Sequence, residues 1–187
     1  MKKSKKKRTK VDSKPDMENL KQYIRTIPDF PKKGILFRDI TTLLKEGIKF
    51  REVVDIFYDK YKDKKIEQIV AAEARGFILG GALSYRFNCG FVPVRKKGKL
   101  PAETVGVTYE LEYGTDTLCM HKDAIKQKER VLIIDDLLAT GGTAKAMCDL
   151  VKKNGGNIIS VAFMIELVGL KGRAKLTGYD VFSLITY

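Results

Sequence analysis

Val131-Leu-Ile-Ile-Asp135-Asp136-Leu-Leu-Ala-Thr140-Gly141-Gly142-Thr143 joins an apolar strand, two carboxylates and a glycine-threonine loop without a break. Val131–Ile134 is apolar throughout and mostly β-branched, the pattern of a parallel strand covered on both faces. The strand is expected to stop at Asp135 and Asp136. In a continuing strand adjacent side chains point to opposite faces, so both carboxylates can meet one ligand only where the backbone turns. Gly141 and Gly142 let the chain curl so that successive N–H groups converge, Thr140 and Thr143 add hydroxyl donors, and 144–152 reads as a helix starting there. The predicted product is an anion cradle at the positive end of a helix. The sequence holds no G-x-x-x-x-G-K-[ST] and no G-x-G-x-x-G, so neither a nucleoside-triphosphate loop nor a dinucleotide fingerprint is present. Ionised carboxylates only accept hydrogen bonds, and beside a bound monophosphate they suit the hydroxyls of a sugar. The stretch therefore reads as a holder for a ribose 5-phosphate. Any one piece alone is ordinary, two Asp at a strand end or a Gly-Gly turn; the ordered string carries the functional reading.

The chain has 187 residues and is 44% hydrophobic, which suits one α/β domain with a real core. The apolar run at 161–170 is interrupted by Glu166 and falls short of the roughly 20 residues of a membrane helix, so no membrane association is expected. Three cysteines, Cys89, Cys119 and Cys148, form no C-x-x-C pair and fit a reducing cytoplasm rather than a disulfide framework or zinc site. The formal charge is +13, but residues 1–14 hold eight Lys and Arg against Asp12 alone, more than half of that excess. Residues 1–16 are accordingly expected to be a disordered, solvated tail, with residues 17–187 forming a single domain. Lys5-Lys6-Lys7-Arg8 leaves open a nuclear address or an RNA-contacting arm; outside the tail no nucleic-acid face is expected, because the milder excess suits a multiply phosphorylated small ligand.

Along the domain, Leu20, Tyr23, Ile24 and Ile27 fall at helical spacing before Pro28 and Pro31 break the run. Residues 35–39 form a short apolar strand, and Phe50, Val53, Val54, Phe57 and Tyr61 mark the buried face of a helix. Strands at 66–72, 91–95, 131–135 and 158–165 alternate with helices at 76–87 and 144–152, the βαβ pattern of a mostly parallel sheet with helices on both faces. Between Gly98 and Met120, Val105, Val107, Tyr109 and Leu111 alternate with polar residues. That predicts an antiparallel hairpin, placed as a flexible flap (98–120) over the strand ends where ligands bind.

Three further segments carry charge or an apolar face. Glu73-Ala-Arg75-Gly76-Phe77 puts a guanidinium fork beside a glycine at a strand-to-helix junction. Arg95-Lys96-Lys97-Gly98-Lys99-Leu100-Pro101 crowds four cations that repel one another unless solvated or facing an anion. Glu110 and Glu112 share a face at the hairpin tip. His121, the sole histidine, lacks the company that a metal or nucleophile site needs.

These segments together resemble the type I phosphoribosyltransferases, and in the form D-D-L-L-A-T-G-G-T, R-K-x-G-K-L-P and L-E-Y-G their adenine-using branch, over residues 20–187. The resemblance implies that fold, with its flap, and transfer of a 5-phosphoribosyl group from phosphoribosyl pyrophosphate (PRPP) to adenine, giving AMP and pyrophosphate. It implies 5-phosphate binding by Ala139, Thr140, Gly141, Gly142 and Thr143, and ribose binding by Asp135 and Asp136. Pyrophosphate contacts fall to Arg75, Arg95, Lys96 and Lys99, and the base pocket to Leu36, Phe37, Arg38 and Leu167. Glu112 is the implied acid/base, Tyr113 helps close the flap, and Arg75, Asp135 and Asp136 complete the catalytic set. Mg²⁺ is expected on PRPP oxygens and water, with no protein metal cage, and a homodimer is implied. Two other readings stay open: a PRPP-sensing regulator that has lost catalysis, and the same enzyme class acting on a 6-oxopurine.

Overall fold

The computed structural model describes residues 17–110 and 114–187. The expected tail (1–16), and Glu112 and Tyr113 of the expected hairpin tip, lie outside the described residues. In chain order the elements are α1 (Met17–Lys21), β1 (Arg25–Pro28), β2 (Leu36–Asp39), α2 (Thr41–Leu44), α3 (Gly47–Tyr61), β3 (Gln68–Ala72), α4 (Gly76–Phe87) and β4 (Gly90–Lys96). There follow β5 (Thr104–Glu110), β6 (Thr115–His121), β7 (Arg130–Leu138), α5 (Gly142–Lys153), β8 (Asn157–Glu166) and β9 (Val181–Thr186). Seven strands form one sheet in the order β5-β6-β4-β3-β7-β8-β9, parallel from β4 to β9 and antiparallel at β6 and β5. Strands β1 and β2 pair with each other as a separate antiparallel hood. Among the described residues no helix is long and apolar enough to cross a membrane.

The period-two pattern of the central strands feeds two cores. Leu132 and Ile134 of β7 join Leu20, Leu43, Val53, Phe57, Leu79 and Leu83 from α1 to α4 on one face. Val131 and Ile133 join Ala144, Met147, Leu150 and Val151 of α5 on the other. Both faces of β7 are covered, as its unbroken apolar run requires.

Three points differ from the sequence reading. First, β7 does not stop at Asp135 and Asp136 but runs on to Leu138, because β8 keeps pairing with it through Leu137↔Ile165 and Leu138↔Glu166. The turn expected there takes another form: Leu137 joins the core of Leu132 and Ile134, and Leu138 that of Val131 and Ile133. Alternation therefore slips by one residue across the Asp pair. Second, the helix expected over Leu20 to Ile27 ends at Lys21, and Ile27 lies in β1 paired with Phe37. A helical run shorter than about 12 residues is marginal by itself, so a strand partner outcompetes it. Third, β9 was not anticipated; it forms the edge of the sheet by pairing with β8. The expected hairpin forms as β5 and β6. Val105, Val107 and Tyr109 pack on the α5 core, and Lys153 donates to the Gly106 carbonyl at 3.1 Å.

Helix α4 lies so close to β3 that a Cβ on Gly80 would stand 2.9 Å from the Ala71 Cβ and 2.8 Å from the Phe91 ring. Gly80→Ala is expected to destabilise the fold by about 1–3 kcal/mol through overpacking. Urea unfolding measures it; an unchanged midpoint would contradict the contact.

Candidate active site

In open α/β sheets, ligands bind at the carboxyl ends of the strands. Neighbouring β3 and β7 end here side by side, each feeding the N-terminus of a helix, α4 and α5. Between them lies a cleft of about 290 Å³ lined by residues 72–75 and 135–144. It gathers Arg75, Asp135, Asp136 and the whole loop Ala139–Thr143. Gly141 caps α5 in the left-handed region at φ +80°, a conformation that favours glycine. The first N–H groups of α5 have no intrahelical acceptor, so the helix presents donors and its positive end to the cleft.

The two carboxylates are held differently. A Cβ on Gly76 would stand 2.6 Å from Asp135 Oδ1, so any larger residue there would push that carboxylate from its place beside the first turn of α4. The same Oδ1 accepts the Asp136 N–H at 3.0 Å. Asp136 is buried, and its Oδ2 lies 2.8 Å from Arg75 Nε as an ion pair without an aligned hydrogen bond. Desolvation pushes Asp135 well above the usual carboxylate range, and the Asp136 charge adds to it. Burial raises Asp136 as well, against the opposing pull of Arg75.

The other expected cations lie beside the cleft rather than in its lining. Arg95 Nε donates to Glu73 Oε2 at 2.9 Å, while the Lys96 N–H donates to Glu73 Oε1 at 2.9 Å. Those bonds, the Lys96 amide first, hold Glu73 below its ordinary range. Lys96 Nζ pairs with Asp116 Oδ2 at 2.9 Å, and the Lys99 carbonyl accepts Arg95 Nη1 at 2.9 Å. Like-charge repulsion at 95–99 is thus relieved by acids from β3's end and β6. Glu73 and Asp116 were not assigned roles from sequence. Glu73 stood inside the quoted E-A-R-G-F motif, whereas Asp116 carried no local signal.

Of the expected base-pocket residues, Phe37 reaches the cleft's rim: the Arg75 guanidinium lies 5.3 Å from its ring centroid, and Phe30 packs edge-on at 5.1 Å. Leu36 is exposed; Arg38 stacks on Tyr187 at 3.8 Å and donates to Thr26. The hood is fastened by Arg25 donating to Asp39, which holds the Asp39 carboxyl down at about 2. Leu167 follows β8 directly, and its N–H donates to the Leu138 carbonyl at 2.9 Å. Among the described residues no group of three or more His, Cys, Asp or Glu side chains could hold a metal ion.

Residues 39–184 match the phosphoribosyl transferase domain family. An adenine phosphoribosyltransferase of Halothermothrix orenii is 56% identical over 89% of this chain and 98% of its own length. The crystal structure of the Thermoanaerobacter pseudethanolicus adenine phosphoribosyltransferase superposes with a TM-score of 0.89 at 53% identity, covering 91% of this chain and 99% of that one. That of Saccharomyces cerevisiae, complexed with an iminoaltritol bisphosphate and adenine, gives 0.86 at 40% identity over 90% and 97%. With its parallel sheet, Asp pair and phosphate-sized loop at the β3–β7 strand ends, and with relatives matched over nearly their full length, the chain belongs to the adenine phosphoribosyltransferase family of type I phosphoribosyltransferases.

Proposed function

We propose that this chain transfers the 5-phosphoribosyl group of PRPP to N9 of adenine, releasing AMP and pyrophosphate, a purine-salvage reaction. One observation carries the reading: the Asp pair, Arg75 and the loop Ala139–Thr143 line a single cleft at two helix N-termini. Breaking the bond at C1′ builds positive charge on the sugar and negative charge on the leaving diphosphate, and an effective site stabilises both. The loop N–H groups and the Thr140 and Thr143 hydroxyls take the 5-phosphate. Asp135 and Asp136 accept from the ribose hydroxyls and place negative charge beside the developing oxocarbenium-like carbon.

Arg75, Arg95, Lys96 and Lys99 receive the diphosphate. In the ligand-free protein the first three are paired with Asp136, Glu73 and Asp116, so the anion exchanges one set of charge partners for another instead of ordering loose side chains. Phe37 and Leu167 enclose the adenine ring, and the backbone at Leu36 and Arg38 reads its edge. A base that mismatches that edge leaves buried polar groups unpaired. Glu112 acts as the acid/base near the purine, and Tyr113 helps the tip close. Mg²⁺ supplies charge neutralisation at the diphosphate. Both cleft carboxylates are already engaged, by the Asp136 amide and by Arg75, a donor set that suits an ion held mainly by PRPP oxygens and water. A cytoplasmic homodimer is the expected working form, and exposed Ile78 and Tyr85 on α4 offer apolar surface for a second copy.

Adenine, hypoxanthine and guanine assayed side by side with PRPP should give pyrophosphate release with adenine alone at a comparable rate; equal or better turnover of guanine would defeat the assignment. Glu112→Ala should lower kcat by about 10²-fold with little change in PRPP affinity, and an unchanged kcat would remove Glu112 from the chemistry. The Asp pair predicts a pH signature. A carboxyl whose folded pKa is raised contributes stability below its unfolded value, about 4, and loses it as pH rises through the folded value. Asp135→Asn keeps an oxygen for the Asp136 amide but removes that loss. Its stability relative to the parent chain should grow from pH 4 to 8 in urea unfolding, while activity falls. A difference independent of pH would show that ionisation of the pair costs the fold nothing.

A further inference from the structure

Glu166, Gly172 and Arg173 have no part in the chemistry above, yet they close a ring around the phosphate loop. Leu167 is tied to Leu138, the residue before that loop, by its N–H. The chain then passes through two 3₁₀ turns, Val168–Leu170 and Gly172–Leu176. The second sets Gly172 directly on the loop: a Cβ there would collide with the Ala139 carbonyl oxygen and stand 2.9 Å from the Gly141 nitrogen. Reciprocally, a Cβ on Gly141 would meet the Gly172 carbonyl, 3.0 Å from its carbon. Every atom in this contact is backbone, so none can swing aside. Arg173, the next residue, donates through Nε to Glu166 Oε1 at 3.0 Å, through Nη2 to Oε2, and through Nη1 to the Val181 carbonyl at 2.8 Å. Ser183 Oγ adds a bond to Glu166 Oε2 at 2.6 Å. Glu166 is buried at the end of β8, and Arg173 holds its carboxyl below the ordinary range. The ring runs from Leu138 through the loop to Gly172, by Arg173 to Glu166, and through Leu167 back to Leu138.

We infer that Gly172 is a positioning residue for the 5-phosphate loop, setting the aim of its N–H groups through backbone contact, and that the Glu166–Arg173 pair clamps it in place. Because Leu167 belongs to the same ring, the loop and one wall of the base pocket keep a fixed spacing. The inference rests on the assignment of the 5-phosphate to residues 139–143.

Calorimetric binding of ribose 5-phosphate and of pyrophosphate to the full chain tests it, since the two probes use opposite ends of the cleft. Gly172→Ala should raise the Kd of ribose 5-phosphate about tenfold or more by displacing the loop, and leave that of pyrophosphate within about twofold. Gly169→Ala, three residues earlier with open space at its Cβ, should change neither. Arg173→Lys keeps the charge but loses the fork, and should weaken ribose 5-phosphate in the same direction by less. If Gly172→Ala does not fold, Arg173→Lys decides by the same criterion. Unchanged ribose 5-phosphate binding in the folded variants, or equal loss of both probes, would overturn the inference. Thr143→Val separates it from the reading beneath it. Weaker ribose 5-phosphate binding in Thr143→Val with none in Gly172→Ala sinks the positioning role alone. No effect in either variant sinks the loop assignment as well.

Discussion

The close seating of the Asp135 carboxylate against the backbone of Gly76 is the constraint on which the site depends. It brings a carboxylate from within β7, ahead of its end at Leu138, against the first turn of α4, where β3 has just delivered Glu73 and Arg75. This placement uses the missing side chain at position 76 and the direct adjacency of β3 and β7. It also places two carboxylates one residue apart, in surroundings that resist their ionisation. A fold optimised for stability alone would not retain such a pair. Its presence here fits the role proposed for the pair beside a sugar that becomes cationic.

Charge around the cleft is arranged as exchangeable pairs. Arg75 with Asp136, Arg95 with Glu73 and Lys96 with Asp116 each hold a cation in place by a carboxylate of this chain. Glu73 holds both the Arg95 side chain and the Lys96 backbone, so the loop after β4 is oriented before any anion arrives. Side-chain ordering is thus met largely in folding, which lowers what binding must supply. Arg75 also lies over the Phe37 ring, so the residues proposed for the diphosphate and for the base are physically adjacent in the ligand-free protein.

Much of this was legible in the chain itself. Helix α4 begins and ends at the residues read from its pattern, and the buried face of α3 includes Val53, Val54, Phe57 and Tyr61 as spaced. The loop at 139–143, the Asp pair and Arg75 meet in one cleft because motif order along a βαβ chain maps onto adjacent strand ends. Other features were not legible. The helical spacing of Leu20 to Ile27 yielded to pairing with β2, and β9 owes its place to β8. The hairpin alternation was correct, but nothing in it told that Val105, Val107 and Tyr109 would be claimed by α5.

The sequence by itself determined the class of sheet, the order of its helices and the grouping of the candidate site residues, because strand and helix periods, glycine turns and clustered charges act over a few residues. Tertiary structure decided how β7 passes through Asp135 and Asp136, which acids hold which cations, and what packs against the loop at 139–143. Those outcomes depend on residues far apart in the chain: Gly76 with Asp135, Glu73 with Arg95, Gly141 with Gly172. Gly172, set against the backbone of Ala139 and Gly141, carries no local mark, and only packing reveals it.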